Sequence, residues 1–187
     1  MRQKLKIFAL FLTFVLFSKG FCLPADVQPI TNAYYLPKVM ELIEKAETSI
    51  YVVMYNMAWY DKYPDSSSNK LINLLCRAVK RNVSVNVILN RDSDKKKEEK
   101  DTNIEAAKIL KRAGVNVMFD PLEQTTHAKL LIIDNRFVVI GSFNWSYYSL
   151  EKNNETAVLI DSKDIASYFL NYFNSIAVRS TQFKLSD

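Results

Sequence analysis

His127 is the only histidine in the chain, and Lys129 lies two positions beyond it, on the same side of any extended segment. Residues 127–134 and 137–144 are largely apolar runs around a polar Asn135-Arg136 break, which predicts a β-hairpin with Asn at a turn position needing positive φ. With the turn centred on Asn135-Arg136, Asp134 faces Phe137, Lys129 faces Ser142 and His127 faces Asn144, each pair about 5 Å apart. Four polar side chains then meet at one end of an apolar ladder, an expensive arrangement for a core and a useful one for a site. The group suits phosphoryl transfer through a covalent intermediate. A neutral imidazole can attack phosphorus, while Lys129, Ser142 and Asn144 hold the non-bridging oxygens. A carboxylate must fix the imidazole's tautomer, and Glu155, in Asn153-Asn154-Glu155-Thr156, is the candidate. With one histidine and two cysteines no zinc-finger spacing can be built, and no metal or other cofactor is expected.

The elements that must position these residues read as an α/β domain. Gln28 to Leu36 is extended and ends at Pro37, and a helix carrying Val39, Leu42, Ile43 and Ala46 follows to about Thr48. Ser49 to Met57 is an apolar strand. A loop from Trp59 to Ser68 offers serine caps to a helix from Asn69 to about Arg81, whose buried stripe is Leu71, Leu74, Leu75, Ala78 and Val79. Val83 to Leu89 is a strand. Arg91 to Asp101 balances five basic against five acidic residues, a solvated loop whose Lys95-Lys96-Lys97 run could also touch phosphates. A helix from Thr102 to Arg112 stops at Gly114, and Val115 to Phe119 is a short strand. Beyond the hairpin come a polar, aromatic stretch (Trp145 to Asn154), a strand (Thr156 to Ile160) and a helix opened by Asp164. That helix carries Ile165, Tyr168, Phe169, Tyr172, Phe173 and Ile176 at 3/4 spacing. This order predicts one domain with a central mixed β-sheet flanked by helices. The hairpin strands, apolar at both parities, are expected at its centre. No internal repeat, Walker motif or GxGxxG is visible.

Residues 1–25 read as a targeting segment, either a signal peptide or an uncleaved N-terminal anchor. Arg2, Lys4 and Lys6 precede an apolar run from Ile7 to Phe17, shorter than the roughly 20 residues a spanning helix needs. Cleavage after Gly20 and after Ala25 are both open, and Lys19 argues against lipidation at Cys22. A secreted or periplasmic location follows from a signal peptide, and a membrane-anchored one from the alternative. Removing the leader's four cations, which no acid offsets, takes the net charge from +5 to +1. Composition therefore establishes no basic footprint for nucleic acid. Cys76 sits with Ile72 and Val79 as a buried thiol, pairing with Cys22 only if Cys22 survives processing.

His127-Ala128-Lys129-Leu130-Leu131-Ile132-Ile133-Asp134, followed by Gly141-Ser142-Phe143-Asn144, resembles the HKD signature of the phospholipase D superfamily. The resemblance covers about residues 30–178 and fits the single-motif branch of bacterial Nuc-type endonucleases and mitochondrial cardiolipin hydrolases. It implies a phospholipase D-like phosphodiesterase domain over 26–187, with His127 as the nucleophile that forms a phosphohistidine. Lys129 and Asn144 would bind phosphate, Ser142 assist and Glu155 orient the histidine. Asp134 would be structural at the turn, and Gly141 belongs to the motif. The Trp59–Ser68 loop lacks the Cys and His of a zinc-binding insertion, which favours the Nuc-like side. One motif per chain further implies a homodimer, with His127 of a second subunit as general acid across a two-fold axis. Trp145, Tyr147 and Tyr148 would line that seam or the cleft, or, for Trp145, the core.

Three functions compete: a metal-independent endonuclease on DNA or RNA, a phospholipase D acting on phospholipid head groups, and a non-catalytic binding module. The intact constellation argues against the last. Near-neutral charge weighs slightly against the first, and the lack of an apolar loop beyond Met57-Ala58-Trp59-Tyr60 weighs against the second.

Overall fold

The computed structural model describes residues 22–91 and 102–185, so most of the leader and nearly all of the charged loop, Lys95–Lys97 included, lie outside the described residues. Ile50, Val52, Val53 and Met54 are buried in one strand, and every residue from Lys129 to Ile133 is buried in another. Such strands need cover on both faces, and these two lie side by side in an eight-stranded mixed sheet. In chain order the elements are β1 (Asp26–Pro29), α1 (Tyr35–Lys45), β2 (Ser49–Met54), α2 (Ser67–Lys80), β3 (Ser84–Leu89), α3 (Thr102–Arg112), β4 (Asn116–Phe119), β5 (Lys129–Ile133), β6 (Phe137–Gly141), α4 (Tyr147–Glu151), β7 (Ala157–Asp161), α5 (Lys163–Ala177) and β8 (Thr181–Gln182). The sheet runs β1-β7-β6-β5-β2-β3-β4-β8. β2, β3 and β4 are parallel, as helical crossovers require, and the remaining pairs are antiparallel.

Each sheet face has its own core. On one side Val39 and Ile43 of α1, Leu71 and Leu75 of α2, and Ala106 and Leu110 of α3 pack on Val52, Val87 and Leu131. On the other, α5 covers Val53, Ile88, Leu130 and Ile132 with Ala166, Phe173 and Ile176. Ser66 and Ser162 cap α2 and α5 by accepting from Asn69 N and Ile165 N, and Gly114, at φ +89°, follows α3 where only glycine is unstrained. Among the described residues no helix is long and apolar enough to cross a membrane.

Several expectations need correction. The segment 28–36 is not one extended run. β1 ends at Pro29, pairs with β7 at the far edge, and α1 already starts at Tyr35. Pro37 falls within the first helical turn, where its missing N–H has no intrahelical partner to lose. The strand after α1 stops at Met54 rather than Met57. Residues 145–154 contain the short α4, and β8 was not foreseen. Tyr168 and Tyr172 follow the spacing of α5's buried stripe but stand exposed at its margin. Both cysteines are free, and Cys76 is half-buried, with burial pushing its thiol up.

The hairpin register also differs. Ile133, not Asp134, pairs with Phe137, so paired positions are one residue out of the predicted step and the connection has three residues, Asp134-Asn135-Arg136. Asp134 and Asn135 both adopt positive φ (53° and 47°), and Arg136 N donates to Ile133 O at 3.0 Å. Asp134 leaves the ladder because its carboxylate is used elsewhere. It accepts from Glu47 N (3.0 Å), Thr48 N (2.8 Å), Thr48 Oγ1 (2.8 Å) and Ser49 N (3.0 Å), and its own N–H donates to Ser49 O (2.9 Å). Partial burial pushes this carboxyl up, but the four donors outweigh it and hold it below the usual carboxylate range. The aspartate therefore rivets the β5–β6 turn to the start of β2, a structural role.

Asp134→Asn should destabilise the fold by about 2 kcal/mol, since charge-assisted bonds are exchanged for weaker ones. A lowered folded pKa gives stability that is full above the unfolded value near 3.9 and lost as pH falls through the folded value. Urea titrations of wild type and variant should therefore converge as pH drops below about 4.

Candidate active site

β2 and β5 run antiparallel with Met54 opposite Lys129, so the C-terminal end of β2 and the N-terminal end of β5 share one rim of the sheet. Tyr55 N donates to Ala128 O at 3.1 Å, extending the pairing past the ladder. His127 lies just outside β5 and is exposed. The Tyr55 ring packs beside it with centroids 4.3 Å apart and planes inclined at 55°. Lys129 is only 8% exposed. Its Nζ reaches back to His127 O (2.8 Å), lies 3.2 and 3.4 Å from the two imidazole nitrogens, and sits 4.9 Å from the Tyr55 centroid. As a pure donor, the ammonium can bond only a ring nitrogen that carries no proton.

The approach to His127 is pinned by a buried polar network. Thr126 N donates to Asp120 Oδ2 (2.7 Å) and Asn90 Oδ1 (3.3 Å), and Arg91 N donates to Asp120 Oδ1 (2.7 Å). Asn103 of α3 donates to Tyr55 O (2.9 Å) and Asn90 O (2.8 Å) and accepts from Met57 N (2.7 Å). Asn90, Asn103, Asp120 and Thr126 are all buried. They join the ends of the three parallel strands to the residue preceding the histidine.

On the β6–β7 side Gly141 lies against Ala157 so closely that a Cβ would meet Thr156 O at 2.2 Å, and only glycine fits. Beyond it the chain leaves the ladder. Ser142 Oγ donates to Glu155 Oε2 and accepts from Thr156 N (3.1 Å). Phe143 enters the core and stacks on Tyr35 at 3.9 Å. Asn144 N donates to Ser149 Oγ (2.9 Å), which donates to Glu155 Oε1 (2.9 Å), as does Asn153 Nδ2 (3.1 Å). Glu155 N is held by Asn32 Oδ1 at 2.8 Å. Partial burial pushes the Glu155 carboxyl up, but the bonds from Ser142, Asn153 and Ser149, with the Lys129 charge, bring it below the usual range. Burial lowers the Lys129 pKa, and the Glu155 charge offsets part of that.

The structure places the predicted residues in two bonded sets: His127 with Lys129, and Glu155 with Ser142 and, through Ser149, Asn144. The Lys129 and Glu155 charges each favour the other's ionised form. The one-residue change of register removes the direct pairings foreseen for Lys129 with Ser142 and His127 with Asn144. The second set forms because residues 142–144 turn out of the strand. Glu155 makes no hydrogen bond to His127 within the chain: its oxygens are taken by Ser142, Ser149 and Asn153. Orientation of the imidazole comes from Tyr55 and Lys129. Tyr55, Ser149, Asn32 and the Asp120 network were not foreseen. Tyr55 follows a buried parallel strand, where ligands gather, and that is the one signal that could have found it. Trp145 is core, fully buried with Nε1 donating to Tyr35 Oη at 3.1 Å, whereas Tyr147 and Tyr148 are exposed. Among the described residues no three His, Cys, Asp or Glu side chains gather as metal ligands.

Comparison with known proteins assigns this fold and its rim to a family. A family model described as "Cardiolipin synthase, PLD-like domain" matches residues 39–177. The chain belongs to this family, within the single-motif branch of the phospholipase D superfamily. It is 32% identical over 146 residues to a "Phospholipase D" of Rickettsia typhi, covering 78% of this chain and 64% of that protein. It is 33% identical over 137 residues to the Rickettsia prowazekii protein of the same name, covering 73% and 60%. The chain thus spans less than two thirds of these relatives' length. Among solved structures, Nuc from Salmonella typhimurium has a TM-score of 0.72 at 23% identity, covering 87% of this chain and all of that one. NucT from Helicobacter pylori has a TM-score of 0.64 at 17%, covering 86% and 100%. Both share the fold.

Ser149→Ala removes one donor from Glu155 and strands Asn144 N. If ionised Glu155 is needed for turnover, the acid limb of the pH–rate profile should move to higher pH, because losing a donor raises a carboxyl that hydrogen bonds had lowered. Rates on an activated diester from pH 3 to 8 would measure it, and an unmoved limb would assign Glu155 a purely structural role.

Proposed function

We propose that the protein is a metal-independent phosphodiesterase that forms a phosphohistidine on His127, with nucleic acid as its substrate. The observation that carries the reading is Lys129. It is a nearly buried cation that forms no ion pair among the described residues and is held against the imidazole. Burying a charge without a contacting counter-ion is costly, and a phosphate anion at this point relieves the cost. Asn144 Oδ1 is buried without a hydrogen-bond partner, an unmet polar group of the kind that gathers at functional sites.

In the first step a His127 nitrogen attacks phosphorus in line. The P–O bond to the leaving alcohol breaks, and the leaving oxygen takes a proton from His127 of a second subunit. In the second step water attacks, the P–N bond breaks, and the second histidine takes the water's proton. Lys129 and Asn144 steady the charge on the non-bridging oxygens, and Ser142, whose one hydroxyl proton goes to Glu155, assists by holding that carboxylate. The chain has one histidine, so the general acid must come from a second copy or another group, and a homodimer with the site at the two-fold interface supplies it.

Nucleic acid is favoured over lipid because, of the Met57-Ala58-Trp59-Tyr60 stretch that could have entered a bilayer, Met57 and Ala58 are buried and Trp59 and Tyr60 are only partly exposed. A phospholipase D reading is supported by the name shared by the rickettsial relatives. Export or anchoring through residues 1–25 remains part of the proposal.

Purified protein in EDTA should cleave single-stranded DNA, duplex DNA or RNA faster than phosphatidylcholine or cardiolipin vesicles, and His127→Asn should abolish cleavage without lowering Tm. Vesicle-only activity would assign the lipid reading, and loss of activity in EDTA would refute metal independence. When His127→Asn chains are mixed and re-equilibrated with wild type, the mixed dimers should be nearly inactive; wild-type rates per intact site would rule out a shared site.

A further inference from the structure

The short helix α4 has two working sides. Ser149 faces inward and joins Asn144 to Glu155, while Tyr147, Tyr148 and Glu151 face a cleft of about 790 Å³. The far wall is the loop after β2, with Tyr60, Lys62 and Tyr63, and the start of α2, with Lys70. The walls are locked together. Tyr147 N donates to Tyr60 Oη (3.0 Å), Ser68 Oγ to Trp145 O (2.7 Å), Ala58 N to Trp145 O (2.8 Å), and Ser67 Oγ to Glu151. The cleft is therefore a fixed feature of the fold. It begins three residues from Asn144, at most about 11 Å along the chain.

Its lining is unusual for a surface. Four tyrosines surround it, and Tyr63 and Tyr148 are 68% and 70% exposed. Neither Lys62 nor Lys70 forms an ion pair among the described residues. Of the two acids present, Glu151 is engaged by Ser67 and Asp65 is exposed. Exposed aromatic faces with unpaired ammonium groups between them are the pairing that holds single-stranded nucleic acid: bases stack on rings while cations meet the backbone. The volume lies in the range of about 300–1,000 Å³ that encloses small-molecule-sized groups, suited to nucleotides and too small for a duplex. A quaternary ammonium head group would also value the rings, which makes phosphatidylcholine the competing occupant in the test below.

We infer that this cleft is a nucleobase subsite for the strand flanking the scissile phosphate, with Tyr63 and Tyr148 as stacking platforms and Lys62 and Lys70 as backbone contacts. The inference rests on the nucleic-acid reading proposed above and deepens it.

The full-length protein carrying Tyr63→Ala, Tyr148→Ala or both is compared with wild type on a 12-nucleotide single-stranded DNA and on bis(4-nitrophenyl) phosphate, which has no flanking bases. The ratio of kcat/KM for the oligonucleotide to that for the small diester should fall at least about fivefold per alanine, and Tyr63→Phe should restore it. Lys62→Gln with Lys70→Gln should flatten the slope of log Kd against log salt by about 1.4 for single-stranded DNA, measured by anisotropy in the His127→Asn background. If wild type cleaves the oligonucleotide but neither the ratio nor the slope moves, the cleft assignment is overturned while the nuclease reading stands. If wild type leaves the oligonucleotide intact and cleaves phosphatidylcholine vesicles, both are overturned.

Discussion

Everything at the site depends on how β5 is held against β2. The pairing is fastened at both ends. Asp134 gathers Glu47, Thr48 and Ser49 at one end, and Tyr55 N reaches Ala128 O at the other. A strand that slipped by one residue would invert its side chains across the sheet, exchanging the Val53-facing core for the Val52-facing one and carrying His127 and Lys129 together to the opposite face. Side-chain bonds from one aspartate to three consecutive backbone amides are a strong way to forbid that slip. They explain why an acidic residue far from the chemistry belongs to the same short motif as the histidine and lysine.

The site itself is a collection of unfavourable terms held in place by a rigid surround. A lysine is nearly buried without a contacting carboxylate, Asn144 leaves an acceptor unmet, and an aromatic ring crowds the imidazole. Against these stand the Asn90, Asn103, Asp120 and Thr126 network and the donors around Glu155, all well satisfied. Preorganised polarity of this kind needs no rearrangement when negative charge arrives.

Much of this was legible in the sequence, for identifiable reasons. The parallel strands, the crossover helices and the two-sided burial of the hairpin follow from apolar periodicity, which reports burial directly. The histidine, lysine, serine, asparagine and glutamate were legible because their types are rare together and their spacing is fixed by a motif. The hairpin step was missed because Asn135-Arg136 looks like a two-residue turn, and only the distant use of Asp134's carboxylate shows otherwise. β1 was placed wrongly because its partner, β7, lies some 130 residues away, beyond local pattern. Tyr55, Ser149 and Asp120 gave little local signal, since their roles arise from contacts made across the rim.

The two edges of the sheet have a consequence for how copies of the chain can meet. β1 has four residues, one of them Pro29, which has no N–H to offer, and β8 has two. Neither end presents a row of free donors and acceptors long enough to recruit another strand. Continuation of the sheet from one molecule into the next is therefore disfavoured. Self-association is left to side chains and connecting segments, the kind of surface that forms the rim where His127 stands.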